Sequence, residues 1–172
     1  MKKTLALAAF AVAATSSFAG TANMSAVVAQ GGGDLLDVAA SKGTFKTLLS
    51  LVKRAGLSGA LREPIPMTLV APTDAAFKRV PKKILDSILS RPAVLQEVLL
   101  YHVIPADANL SVLRDQIEIP TMTGYAIRLR KRGSLVRLDN APVLRANVRA
   151  SNGVIHVVDT VLLPPRYTGR TD

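Results

Sequence analysis

At 172 residues, the chain has room for one ordinary domain after an export segment is set aside, and not for two. Its 49% hydrophobic and 20% charged residues exclude the composition of a disordered protein, and the absence of cysteine excludes disulfides and a thiol-linked lipid anchor. A formal charge of +10 favours polyanionic partners, whereas 4% aromatic residues and no tryptophan argue against aromatic stacking platforms.

Lys2 and Lys3 precede an apolar run over residues 5–14, and small residues follow it up to Ser17, Phe18 and Ala19. This three-part pattern predicts a secretory signal over residues 1–19. The run is about half of the roughly 20 residues that a spanning helix needs, and no other segment is apolar enough, so no transmembrane anchor is expected. Cleavage is expected after Ala19, with Ala29 as a second site. It removes Lys2 and Lys3 and leaves 20 bases against 12 acids, a charge of +8. The product is expected to be exported, either secreted and extracellular or periplasmic.

Gln30 and three glycines close a flexible linker over residues 20–33, so the folded domain is expected at 34–165 and a C-terminal tail at 166–172. Asp34 suits the N-cap of a short helix over 35–40. Phe45, Leu48, Leu49, Val52 and Ala55 recur at helical spacing up to Gly56, which predicts a second helix with Lys46, Lys53 and Arg54 off its apolar face. Past Pro64 and Pro66, the apolar run 67–71 reads as a buried strand closed by Pro72. Thr73 and Asp74 suit the cap of a short helix through Phe77. Pro81 and Pro92 stand at first-turn positions of two more helices, 82–89 and 93–103, the latter ending before Pro105.

Beyond Asn109 the period changes. Ile127, Leu129, Val136 and Leu138 alternate with Arg128, Arg130 and Arg137 about a turn at Arg132, Gly133 and Ser134, which predicts a hairpin with one wet face. A second strand pair, 143–150 and 154–163, joins through Ser151, Asn152 and Gly153, where Asn-Gly tolerates the positive φ of a tight turn. From Pro164 no periodicity remains, and the tail is expected to fray. Helices first and strands later predict an α+β domain with an antiparallel sheet system.

Three segments stand out together: residues 68–77, running from Thr68 through Thr73 and Asp74 to Phe77; Tyr101-His102-Val103-Ile104-Pro105; and residues 152–159, which include Asn152, Gly153, His156 and Asp159. In that order and spacing they resemble the fasciclin-like domain family, as a single-domain secreted member of bacterial type, over residues 34–165. The resemblance implies N-terminal helices packed on a wedge of two β-sheets. It also implies a secreted adhesion or surface-interaction module without catalysis, and it places partner contact at Tyr101 and His102. One copy without an anchor departs from the tandem or anchored members, so avidity within the chain is not expected.

An enzyme needs a constellation, and the chain offers only two histidines, with no Gly-x-Ser-x-Gly elbow, no phosphate-binding glycine loop and no paired-histidine metal motif. The enzymatic alternative is a hydrolase or metal-dependent enzyme using His102, Asp74 or His156. Against it, Asp74 and His102 suit capping and hydrogen bonding, Tyr101 suits core filling, and His156 is placed near no second reactive group. No metal or cofactor is expected. Arg128, Arg130, Lys131, Arg132 and Arg137 form either a solvated strand edge or a polyanion site, and alternation puts Arg128, Arg130 and Arg137 on one sheet face. The partners that follow are a surface protein, an anionic polysaccharide or an acidic membrane surface. Nucleic acid is not expected. A cationic glycan-binding or envelope-structuring protein is the alternative to the adhesion module.

Overall fold

Local chemistry sets the first elements. Asp34 caps α1 (Leu35–Lys42), its carboxylate accepting from the N–H groups of Leu36 and Asp37 at 2.9 Å each. Gly43 then ends the helix in the left-handed region at φ 69°. Helix α2 (Lys46–Arg54) buries Leu48, Leu51 and Val52 and leaves its lysines wet. A 3-10 turn (Ala60–Arg62) leads into β1 (Met67–Pro72), whose six residues are all buried, as its continuous apolar run requires. Three short helices follow: α3 (Asp74–Arg79), α4 (Lys82–Leu89) and α5 (Pro92–Tyr101), with a proline at the first position of α5. The computed structural model describes residues 33–168; the expected signal and residues 20–32 of the expected linker lie outside the described residues.

After α5 the chain is mostly strand: β2 (Val103–Ile104), β3 (Ile117–Pro120), β4 (Ala126–Arg132), β5 (Leu135–Leu138), β6 (Ala141–Ala150) and β7 (Gly153–Val158). A last helical turn, α6 (Pro165–Thr168), ends the described chain. The strands form one seven-membered ladder in the order β2-β1-β7-β6-β5-β4-β3. Strand β6 changes partner along its length, pairing with β5 at Ala141 and Pro142 and with β7 from Val143 to Ala150. Register shifts lie between Val143 and Arg145 and between Arg145 and Val148, and Asn147 has φ 56°. Extra residues on one strand bend it and increase its twist, so β6 is the crease at which the ladder folds into the two sheets of a wedge.

Two cores follow from that crease. One joins the helices to β1 and β7 through Leu35, Phe45, Leu48, Leu95, Leu69 and Ile155. The other fills the inside of the wedge with Val70, Ile104, Ile127, Leu129, Leu138 and Val158.

The α+β class and the helices-on-wedge architecture hold, and three details differ. The sheet is mixed, because β1 pairs with β7 in parallel from Met67↔Gly153 to Pro72↔Val158. Helix α5 stops at Tyr101: His102 folds its Nδ1 back to the Val98 carbonyl at 2.7 Å, and Pro105 disfavours helical backbone before it, so Val103 and Ile104 pair with β1. The chain past Pro164 does not fray as far as Thr168, since Tyr167 donates its hydroxyl to Glu97 at 2.9 Å and Arg166 pairs with the same carboxylate.

Candidate functional site

Each of the three segments sits at a junction. Thr73 caps α3 through Oγ1, which accepts from Ala76 N–H at 3.2 Å. Asp74 instead caps the neighbouring α2, where the N-cap residue Phe45 makes no side-chain cap bond: its carboxylate accepts from Thr47 N–H at 2.7 Å and Lys46 N–H at 3.3 Å. Burial alone raises the pKa of Asp74, but the bonds from Thr47 and Lys46 and the Lys46 charge outweigh it and leave it below the ordinary value. Phe77, on α3, is buried in the helical core.

His102 and His156 are 1% and 0% exposed. His102 donates from Nδ1 to Val98, and its Nε2 accepts from Leu162 N–H at 3.0 Å, tying the segment after β7 to the end of α5. Desolvation lowers its pKa to about 4 against the opposing bond to Val98, so the ring is neutral at pH 7. His156 donates from Nε2 to the Ala108 carbonyl at 2.8 Å. Its Nδ1 accepts from Asn147 N–H at 3.1 Å, filling the gap that the irregular β6 opens in the ladder. Desolvation lowers its pKa too. Asp159 is held by Arg79 at 2.7 Å. No two of Asp74, His102, His156 and Asp159 bond to one another among the described residues, and no group of three or more acidic or histidine side chains there stands close enough to hold a metal ion.

The contact role that the resemblance implies for Tyr101 and His102 meets a steric obstacle. Both side chains are interior, Tyr101 at 2% exposure, with its hydroxyl bonded to Asp139 at 2.8 Å and reaching the Ala126 carbonyl at 3.3 Å. Asn152 does more than turn the chain. Its Oδ1 accepts from Leu35 N–H at 2.9 Å, and its Nδ2 donates to the carbonyls of Leu61 and Glu63 at 2.9 and 3.0 Å. Gly153 is fixed by proximity, since a Cβ there would stand 1.8 Å from the Met67 carbonyl oxygen.

The outer face of β3, β4 and β5 carries the charge. Cross-strand register sets Arg130 opposite Arg137 and Glu118 opposite Arg128. Ile127, Leu129 and Leu138 point into the wedge, all at 0% exposure. Arg128 bonds Glu118 at 2.8 Å. Among the described residues no carboxylate lies within ion-pair distance of Arg130, Arg132 or Arg137. Lys131 does not join this face: it alternates to the opposite side, and its Nζ donates to the Leu113 carbonyl. Two open cavities share Arg128. One of about 750 Å³ is lined by Arg130, Lys131, Arg132, Arg137, Leu135 and the Asp115–Gln116 turn. The other, about 630 Å³, lies between Tyr125, Glu118, Asp139 and Asn140, with Tyr101 at its base and Pro165 and Thr168 on its wall.

These features define an α+β domain whose two histidines and Asp74 are bonded to its own backbone and which carries arginines on the outer face of β4 and β5. The Fasciclin domain model matches residues 43–164, and the chain belongs to that family. It is 38% identical over 151 residues to Protein sll1483 of Synechocystis, covering 84% of this chain and 83% of that protein. It is 30% identical over 136 residues to the transforming growth factor-beta-induced protein ig-h3 of Sus scrofa, covering 77% of this chain but only 20% of that protein. A FAS1 domain pair from the insect cell adhesion molecule Fasciclin I shares the fold, with a TM-score of 0.65 at 18% identity, over 80% of this chain and 53% of that one.

Proposed function

We propose that the protein is an exported, non-catalytic adhesion module that engages an anionic polysaccharide on a cell or matrix surface through the outer face of β4 and β5. One observation carries this reading. Arg130 and Arg137 stand directly opposite each other with no carboxylate in ion-pair range among the described residues, and like charges in that register weaken a sheet. Asp159 lies within electrostatic reach of Arg137 without pairing with it, so the two arginines keep capacity for an external anion. The kinship with a cell adhesion molecule in fold, and the commitment of both histidines to backbone groups, support the same reading.

The test compares wild type with the Arg130→Glu, Arg137→Glu double variant on heparin-coated surfaces at low and high salt. Wild type is expected to bind in a salt-sensitive manner, because exposed charges are screened beyond about 10 Å at roughly 0.1 M salt, and the variant is expected to lose that binding while keeping its melting temperature. Equal retention of the two proteins would show the arginines to be only a solvated surface.

A further inference from the structure

We infer that the cleft at the Tyr125 end of this face is a sugar-ring subsite, so that the ligand is an acidic oligosaccharide and not an anionic lipid surface. The inference rests on the polyanion reading above and specifies its ligand. Ala126, Arg130 and Arg132 on the outer face of β4 are exposed among the described residues, and the two cavities of that face meet at Arg128. One end is cationic. The other is chemically mixed.

That mixture discriminates between ligands. Tyr125 is 37% exposed and stands edge-on to Tyr101, ring centroids 6.4 Å apart at 80°. The Tyr101 hydroxyl is anchored on Asp139, so the Tyr125 ring leans on a fixed partner and loses little freedom when something binds against it. Around the ring, the Asn140 amide and the Tyr125 hydroxyl make no hydrogen bond among the described residues, and Glu118 uses one carboxylate oxygen for Arg128 and keeps the other. An aromatic face beside an amide, a phenol and a carboxylate acceptor suits the apolar C–H face and the hydroxyls of a pyranose ring. The Glu118 and Asp139 carboxylates oppose a phosphate at the same place. A chain of uronic acid units suits both ends at once: one ring lies on Tyr125 with its own carboxylate turned away from Glu118 and Asp139 towards the Arg128 side of the cleft, and the carboxylates of its neighbours lie along Arg130 and Arg137.

The experiment measures binding of the exported protein to a hexagalacturonate, to inorganic polyphosphate of similar charge and to phosphatidylglycerol vesicles. The proteins are wild type, Tyr125→Ala, Asn140→Ala and the Arg130→Glu, Arg137→Glu double variant, each checked for an unchanged melting temperature. Tyr125→Ala is expected to weaken hexagalacturonate binding about tenfold, the size of one ring contact together with a hydrogen bond, and Asn140→Ala to weaken it less. Neither should alter polyphosphate binding, whereas the double variant should weaken both. If Tyr125→Ala and Asn140→Ala leave hexagalacturonate binding intact while the double variant abolishes it, the sugar subsite is refuted and the cationic face stands. If the double variant changes nothing, the polyanion reading falls and the subsite with it. Vesicle binding tighter than sugar binding, and indifferent to Tyr125→Ala, overturns the choice of a glycan.

Discussion

Replacing Asn152 should cost the fold more than any catalytic or surface explanation of its motif allows. Its amide joins three places: the first N–H of α1 at Leu35, the carbonyl of Leu61 within the 3-10 turn, and that of Glu63 just after it. The bonds to Leu35 and Leu61 are buried, and that to Glu63 is partly so. A buried group left without its partner costs about 1–3 kcal/mol, less where water can reach it, so Asn152→Ala should lose about 3 kcal/mol in all. With a urea slope of about 2 kcal/mol per molar, the denaturation midpoint followed by circular dichroism should fall by about 1.5 M. Asn152→Asp sharpens the test. It keeps the acceptor for Leu35 but aims an acceptor-only carboxylate at two carbonyls, so its deficit at pH 7 should match or exceed that of alanine and should narrow in acid as the carboxyl regains a donor. A midpoint within about 0.3 M of wild type for the alanine variant, or an aspartate deficit indifferent to pH, would refute the hub role.

Asp74→Ala should cost about 1–2 kcal/mol in urea denaturation by uncapping α2, with surface binding unchanged; lost binding at full stability would contradict the capping role. Acid should destabilise the domain through its histidines. Their pKa values are lowered in the fold, so the unfolded chain takes up protons first, and stability that is complete above about 6.5 is lost as pH falls. For His102 the loss reaches about 3 kcal/mol near pH 4, with His156 adding in the same direction, and a flat urea midpoint between pH 7 and 4 would contradict the neutral buried rings. Asp74 and Asp159, both lowered, withdraw their contributions only below the ordinary carboxylate value of 3.8. Gly153→Ala should yield little folded protein, because its Cβ would meet the Met67 carbonyl, and a wild-type melting temperature would count against that close approach. N-terminal sequencing of exported protein should begin at Gly20; a start at Gln30 moves the cleavage site, and an intact Met1 sinks the signal.

The elements with strong periodicity were legible in the sequence, and those fixed by tertiary partners were not. Phe45, Leu48 and Val52 announce α2, and the alternation on either side of Arg132, Gly133 and Ser134 announces the β4–β5 hairpin and its wet face, though Arg132 pairs with Leu135 in the ladder and is not part of the turn. Strand β2 is indistinguishable in sequence from the end of a helix because two residues carry no period, and its pairing depends on β1 across the domain. Strand β3 escaped for a similar reason, with four residues ending in Pro120. Asp74 was recognised as a capping residue, but spacing alone could not say that it caps α2 and not its own helix. The cleft was invisible because its residues come from α5, β3, β4 and the β5–β6 turn. The Asp139-Asn140 pair, polar between two strands, is the sequence signal for the turn at its rim. Alternation taken strictly would already have turned Lys131 away from Arg130.

The parallel union of β1 with β7 has a consequence for the order in which the molecule can come into being. The first strand made lies at the middle of its half of the ladder, between β2 and the last strand made. Until β7 leaves the ribosome, the two residues of β2 are the strand partner available to β1 among the described strands, and closing so long a loop delays the contacts that reward it. Closure of this part of the ladder is therefore expected only once residues 153–158 are available to pair. A chain cut before Gly153 should melt without a cooperative transition; a sharp transition in that fragment would show that the helices and β1 mature on their own.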